Sequence, residues 1–201
     1  MLFIFDMGGV VTNTAGNDIL ETAAKKMGIS REKLLELAGK NTGEERDLFY
    51  KLDVGKLTAK EFWKILGERA GVEVKSDWFR LLFHPVLNRE TAALVEELKK
   101  AGHRVVCGTN TIDSHYDNHL SRGDYAFFDM TYASIHMGVR KPDTEFWSLI
   151  MEAEGFKAEQ TFFTDDRREN VEAAASLGIN SYLFDNAEGF RKFINEKLSE
   201  M

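Results

Sequence analysis

The sequence predicts an α/β protein in which helices flank a parallel β-sheet, with a helical segment inserted after the first strand. Residues Leu2–Phe5 form a short apolar run, which is typical of a strand buried on both faces. From residue 85 onward, runs rich in β-branched and aromatic residues alternate with helical periodicity. Such alternation indicates parallel strands joined by right-handed crossovers. Residues 14–84 show helical periodicity without a convincing strand.

The helices of the inserted segment are predicted from apolar spacing and capping residues. Gly28 is a typical C-cap, Ser30 is a typical N-cap, and Thr58 with Glu61 makes a capping box. The helices are expected at residues 19–27, 30–38 and 44–52 and from residue 58 through 66. Residues 75–83 give no clear pattern.

The remainder alternates helix and strand in a regular order. Pro142 is a favourable first residue of a helix because its missing N–H needs no partner there. Strands are predicted at 103–107, 129–133, 161–164 and 179–184, and helices at 88–101, 112–120, 142–150, 169–177 and 190–198. The sequence therefore predicts a core domain of residues 1–13 and 85–201 and a helical domain of residues 14–84.

Composition excludes several classes of protein. The net charge of −7 argues against a nucleic-acid-binding surface, which needs an excess of lysine and arginine. Cys107 is the single cysteine, so no intramolecular disulfide forms and a reducing compartment is expected. No apolar run approaches the ~20 residues of a membrane span, and none resembles a signal peptide. We therefore expect a soluble, cytoplasmic protein without a membrane partner.

Polar side chains follow three of the predicted strands. Ligands of open α/β sheets bind at the carboxyl edge of the strands, where residues distant in sequence converge. Lys141 stands at the start of a helix beside this edge. The strand-end residues are Asp6, then Thr109 and Asn110, then Asp165 and Asp166. We interpret Asp6 as a nucleophile against which the other residues position a phosphate.

Each of these residues alone has an ordinary structural explanation. Asp6 would more often end a strand as a cap, Asp165 and Asp166 would cap the helix that follows, and Lys141 would be a solvated lysine. Arg167 falls in the first turn of that helix, where a surface role is favoured over substrate binding. We prefer the functional interpretation, because a separate structural explanation would otherwise be needed for the polar residues at every strand end.

In this order, the motifs resemble those of the haloacid dehalogenase (HAD) superfamily, most of whose members are phosphatases. The resemblance covers nearly the whole chain and implies a Rossmann-like core with a helical cap. Residues 53–58 also resemble the cap of a branch that includes bacterial sugar-1-phosphate phosphatases. The four motifs are Phe5-Asp6-Met7-Gly8-Gly9-Val10, Thr109-Asn110, Arg140-Lys141-Pro142 and Phe162-Phe163-Thr164-Asp165-Asp166.

The resemblance implies a Mg²⁺ site. Its direct ligands would be the Asp6 carboxylate, the backbone carbonyl of Gly8 and Asp166, with Asp165 reaching the ion through water. Hard oxygen ligands and retained waters suit this cation. The positive charge of the ion would reduce the electrostatic repulsion between the acidic residues and a phosphate dianion.

The resemblance also assigns the substrate contacts. Asp6 would take the phosphoryl group as an aspartyl phosphate, which water then releases. Lys141 would hold Asp6 and a phosphate oxygen together, while Thr109 and the backbone around Asn110 would donate hydrogen bonds to the other oxygens. Since the transition state of phosphoryl transfer is loose, positioning and charge neutralisation matter most.

Gly8 departs from the family pattern, which usually has an aspartate here that protonates the leaving oxygen. Loss of a general acid typically costs ~10²- to 10⁴-fold in rate. A less basic leaving group, such as the anomeric oxygen of a sugar phosphate, or another proton donor would offset that loss. A 2-haloacid dehalogenase needs neither the acid nor a metal, but the pair Asp165 and Asp166 argues against it. A catalytically silent binding module is a third alternative.

We therefore expect a Mg²⁺-dependent phosphatase of a small phosphorylated metabolite. A sugar phosphate is the first choice, and a nucleotide or a cofactor intermediate is the alternative. The cap should exclude macromolecular substrates. The sequence does not predict which cap residues select the substrate, nor the oligomeric state.

Overall fold

A five-stranded parallel sheet is the centre of the computed structural model, which describes residues 1–14, 18–40, 42–44 and 46–200. The strands, in chain order, are β1 (Leu2–Phe5), β2 (Thr12–Thr14), β3 (Pro85–Leu87), β4 (Arg104–Thr109), β5 (Met130–Ala133), β6 (Thr161–Asp165) and β7 (Asn180–Leu183). The order in the sheet is β5-β4-β1-β6-β7, so β1 lies in the middle between β4 and β6. The predicted fold class is confirmed.

The side chains of β1 alternate between two apolar layers, as the period of a strand requires. Phe3 and Phe5 are fully buried on one face, and Leu2 and Ile4 are fully buried on the other. The first face packs against α6 (Arg89–Lys100) and α11 (Ala187–Glu200), and the second packs against α9 (Glu145–Glu154) and α10 (Arg168–Ser176). The helices of the protein are α1 (Ile19–Met27), α2 (Arg31–Leu37), α3 (Leu48–Asp53), α4 (Ala59–Ala70), α5 (Trp78–Leu82), α6 (Arg89–Lys100), α7 (Asp113–Arg122), α8 (Ser134–Met137), α9 (Glu145–Glu154), α10 (Arg168–Ser176) and α11 (Ala187–Glu200).

Helices α1 to α5 share an apolar cluster in which Phe62 and Trp63 are buried, and Ile112 of the predicted core domain also belongs to it. The predicted capping box at Thr58 and Glu61 forms at the start of α4. Helix α3 begins later than the sequence predicted, because the side chain of Asp47 accepts hydrogen bonds from two backbone N–H groups and caps the helix there. Helix α5 lies within residues 75–83, where the sequence shows no clear pattern.

A short antiparallel ribbon of β2 and β3 stands where the chain enters and leaves the helical segment. Three-residue strands carry too little pattern to be found in the sequence. The domain boundaries at residues 13 and 85 stay a prediction, and residues 15–17, 41 and 45 of the predicted cap lie outside the described residues. Within the described part of the chain, no helix has both the length and the apolar character needed to cross a membrane.

Candidate active site

A cavity of about 450 Å³ opens at the carboxyl edge of the sheet, where β1, β4 and β6 end. Most of the residues predicted for the site line this cavity, although they come from separate parts of the sequence. The lining residues are Asp6, Gly8, Gly9, Asn13, Asn110, Lys141, Asp166, Arg167 and Asn170. The convergence that the parallel sheet predicted is therefore present.

Lys141 is buried at the base of this cavity. Its Nζ donates hydrogen bonds to Asp6 Oδ1 at 2.7 Å, to Asp165 Oδ2 at 2.6 Å and to the carbonyl of Gly108 at 2.9 Å. Burial disfavours the charged lysine, but the two carboxylates outweigh burial and raise the pKa of Lys141 above its usual value. An ammonium has three hydrogens, so all of them have protein acceptors here. The predicted contact of Lys141 with a phosphate oxygen stays a prediction.

Asp6 continues the central strand, since its backbone N–H donates to the carbonyl of Thr164 at 3.0 Å. Burial raises the pKa of the Asp6 carboxyl to about 6, with Lys141 acting in the opposite direction and Asp165 adding to the increase. A second positive charge near Asp6 would favour its ionised form.

Asp165 is fully buried and serves as an internal acceptor. Besides the bond from Lys141, its oxygens accept hydrogen bonds from Asn170 Nδ2 at 3.0 and 2.9 Å and from the backbone N–H of Arg167 at 2.9 Å. These contacts fix Asp165 beside the cavity and not within it, since Asp165 is absent from the lining.

Asp166 is exposed and reaches the cavity beside Gly9. A Cβ atom at residue 9 would lie 2.2 Å from Asp166 Oδ2, and the φ of Gly9 is +80°. Glycine is therefore required at this position, both for the backbone conformation and for the approach of the carboxylate. Partial desolvation and the neighbouring Asp165 raise the pKa of Asp166.

The side chain of Asn110 holds the backbone of Lys141 through two hydrogen bonds. Its Oδ1 accepts from the Lys141 N–H at 2.9 Å, and its Nδ2 donates to the Lys141 carbonyl at 2.8 Å. Thr109 is buried at the end of β4, and its hydroxyl donates to the carbonyl of Asn110 at 3.2 Å. The phosphate contacts predicted for Thr109 and Asn110 stay predictions, while the structure gives Asn110 a clear part in fixing Lys141.

The acidic residues fit a divalent cation. Asp6, Asp165 and Asp166 each offer a carboxylate oxygen, and the three oxygens lie within 4.8 Å of one another. Gly8 lines the same cavity. Oxygen donors of this kind suit Mg²⁺. The assignment of Asp6, Gly8, Asp165 and Asp166 as ligands stays a prediction.

Asn13 and Asn170 line the cavity and were not predicted from the sequence. Asn170 lies five residues after Asp165, in the first turn of α10, so the helix brings its side chain back over the end of β6. The spacing between Asp165 and Asn170 was the sequence signal from which this contact could have been predicted. Arg167 also lines the cavity, but its guanidinium pairs with Glu169 at 2.5 Å and is largely exposed, as its predicted surface role requires.

The fold and this edge of the sheet place the chain in a known class of enzyme. The chain belongs to the haloacid dehalogenase-like hydrolase family, which it matches over residues 1–178. The predicted family and enzyme class are confirmed.

Two characterised relatives and one solved structure cover nearly the whole chain. The chain is 29% identical over 181 residues to a sesquiterpene phosphatase of Aspergillus oryzae, which covers 88% of this chain and 85% of that protein. It is 26% identical over 202 residues to a D-ribitol-5-phosphate phosphatase of Bacteroides thetaiotaomicron, with 94% of each chain covered. It is also similar to a magnesium complex of a HAD family enzyme from Bacteroides thetaiotaomicron, with a TM-score of 0.70, 25% identity and 91% and 92% of the two chains covered.

Proposed function

We propose that this protein is a Mg²⁺-dependent phosphatase of a small phosphorylated metabolite and that Asp6 is its nucleophile. The observation that carries the proposal is the hydrogen bond from buried Lys141 to Asp6 at the end of the central strand, inside a cavity that Asp166 also lines. The phosphatase activities of the two relatives support the same class of reaction.

The charge balance of the site supports a requirement for a cation. Three carboxylates, those of Asp6, Asp165 and Asp166, stand near one ammonium, that of Lys141. When all four groups are ionised, the cluster carries two negative charges, and a phosphate dianion would add two more. Like charges this close cannot all remain ionised without compensation. A bound Mg²⁺ would supply this compensation and neutralise charge on the phosphoryl oxygens.

The chain's own residues would then carry the transfer. Lys141 fixes Oδ1 of Asp6 and favours the ionised form of its carboxyl group. A carboxylate oxygen of Asp6 attacks phosphorus while the bond from phosphorus to the leaving oxygen breaks, which gives an aspartyl phosphate and an alkoxide that takes a proton from water to become the alcohol. Water attacks the same phosphorus in the second step, releasing inorganic phosphate and restoring Asp6. Gly8 has no side chain to protonate the leaving oxygen, so a weakly basic leaving group is favoured.

We propose further that the helical segment acts as the cap and selects the substrate. Helices α1 to α5 share an apolar cluster whose buried members, apart from Ile112, all come from residues 23–79, which supports a unit that can cover the cavity. One relative acts on a sugar alcohol phosphate, and a sugar phosphate with an anomeric leaving oxygen would best tolerate glycine at residue 8. A sugar 1-phosphate is therefore our first candidate.

The experiment is an assay of purified protein against a panel of phosphate esters and a 2-chloroacid, each with and without Mg²⁺. We expect metal-dependent release of phosphate and its loss by roughly 10⁴-fold or more in Asp6→Asn. Asp18→Asn is the matched control, because Asp18 caps α1 and asparagine caps a helix equally well. Metal-independent release of chloride would indicate a dehalogenase, and no product from either class would indicate a silent binding module.

A further inference from the structure

The loop that carries Lys141 is held from two sides, by the core and by the helical segment. On the core side, Asn110 bonds to both backbone groups of Lys141. On the other side, the residue before the lysine, Arg140, donates from Nη1 to Asp53 Oδ2 at 2.7 Å. Asp53 is the last residue of α3, in the helical segment.

The pairing of Arg140 with Asp53 has features that an exposed surface ion pair lacks. Only 30% of the Arg140 side chain and 28% of the Asp53 side chain are exposed. The guanidinium carbon of Arg140 also lies 4.7 Å from the centre of the Tyr50 ring, one turn earlier in α3. A planar guanidinium can pair and stack at the same time, and a lysine cannot reproduce that geometry. Arg140 is therefore fixed by two side chains of the same helix.

The backbone after α3 also approaches the core closely. Gly55 has a φ of +70°, and a Cβ there would lie 2.2 Å from the carbonyl oxygen of Ile135 in α8. Only glycine allows this approach. The end of α3 thus meets the core at two points, the guanidinium of Arg140 and the carbonyl of Ile135.

We propose that Asp53 is a positioning residue for Lys141, acting through Arg140. Arg140 and Lys141 are joined by a peptide bond, so a shift of the Arg140 backbone moves the lysine. Asn110 alone would hold the lysine loop from one side. The ammonium of Lys141 therefore takes its place between Asp6 and Asp165 when the end of α3 is docked on the core. Docking of the helical segment is in this way coupled to assembly of the catalytic edge, a role that rests on the proposed function of Lys141.

A purely structural role for the ion pair makes a different prediction. If it only fastens the helical segment to the core, removing it lowers stability and leaves the Lys141 ammonium undisturbed. If Asp53 positions Lys141, removing the pair changes the environment of that ammonium in the folded protein.

The first test compares Asp53→Asn, Arg140→Gln and the double variant by steady-state kinetics with Mg²⁺ and a phosphate ester. A displacement of about 1 Å at a catalytic group can cost ~10²-fold, so we expect kcat to fall roughly ten- to a hundredfold while KM changes less than about threefold. The double variant should be no slower than the slower single variant, because both changes remove one interaction. Asp53→Glu should recover part of the activity.

The matched control is Glu36→Gln, which removes an ion pair of the same 2.7 Å length between two residues of α2. It should leave kcat unchanged. Additive losses in the double variant, or a loss in Glu36→Gln equal to that in Asp53→Asn, would overturn the proposal.

The second test does not depend on activity. The Lys141 ammonium is buried with three hydrogen bonds, so its protons should exchange slowly with water and give a ¹⁵Nζ signal, assigned by its absence in Lys141→Met. We expect exchange to become about tenfold faster or more in Asp53→Asn and Arg140→Gln, as for any local opening. Unchanged exchange in both variants would refute the positioning role. If the wild-type protein hydrolyses no phosphate ester, the proposed function fails, while this measurement still decides whether Asp53 positions Lys141.

Discussion

Replacing Gly8 with aspartate should accelerate hydrolysis of phosphate esters that have strongly basic leaving groups. A Cβ at residue 8 would meet no heavy atom within 4 Å, and the φ of Gly8 is outside the left-handed region. The new side chain would enter the cavity two residues after Asp6. General acid catalysis is typically worth ~10²- to 10⁴-fold, which sets the upper limit of the gain for an alkyl phosphate. The gain should be smaller for an anomeric phosphate and absent for p-nitrophenyl phosphate, whose leaving group needs no proton.

The assay is kcat/KM for these three esters at saturating Mg²⁺, for the wild type and Gly8→Asp. Gly9→Ala is the matched control, because a Cβ there would collide with Asp166 Oδ2 and the variant should lose activity on all three esters. An equal gain on all three substrates, or no gain on the alkyl ester, would refute the leaving-group reasoning.

Two further predictions concern buried ionisable groups. Lys141→Met leaves the buried carboxylates of Asp6 and Asp165 without their cation. Urea denaturation of the metal-free protein should therefore show a free energy of unfolding that is lower by about 3–5 kcal/mol. Unchanged stability would contradict the assigned ion pairs. The ring of His115 stacks on Phe83, with 3.7 Å between the ring centres. Burial lowers the pKa of His115 to about 4. The unfolded histidine takes up a proton near pH 6.5, so the free energy of unfolding of the wild type should fall by roughly 2–3 kcal/mol between pH 7 and pH 4.5. His115→Phe should not show this decrease. Equal pH dependence of the two proteins in urea titrations would overturn the assignment.

The sheet was predictable because its signals are local. A fully apolar run such as Leu2–Phe5 is a strand buried on both faces, and the alternation of strands and helices fixes a parallel arrangement. Helix α5 was not predictable, because its stability comes from contacts distant in sequence. Its N-cap, Asp77, accepts hydrogen bonds from Trp63 Nε1 at 3.1 Å and from the hydroxyl of Ser114. The contacts by which such a residue caps a helix and joins two other elements produce little local pattern in the sequence.

Most of the residues at the candidate site were predictable, but their separate contacts were not. Asp6 and Asn110 follow directly after β1 and β4, so the parallel topology brings them together, and Lys141 reaches the same edge from the segment between α8 and α9. The resemblance separated Asp165 and Asp166 only by their expected contact with a metal ion, whereas the structure buries Asp165 among hydrogen-bond donors and exposes Asp166 at the cavity. Successive side chains of a strand point to opposite sides, so adjacent residues at its end have different environments.

The hydrogen bonds of Lys141 show what the motif alone leaves out. A lysine beside a catalytic aspartate suggests a direct contact with substrate, but here every hydrogen of the ammonium already has an acceptor. A phosphate oxygen can bind Lys141 only by replacing one of these acceptors. Asp6 and Asp165 are charged partners, whereas the Gly108 carbonyl at 2.9 Å is neutral and makes the longest of the three bonds. The two aspartates also attract the ammonium through their opposite charge, which the neutral carbonyl does not, so the bond to Gly108 is the one that a substrate oxygen would most easily replace. Lys141 would then keep both aspartates in place while it gained its substrate contact.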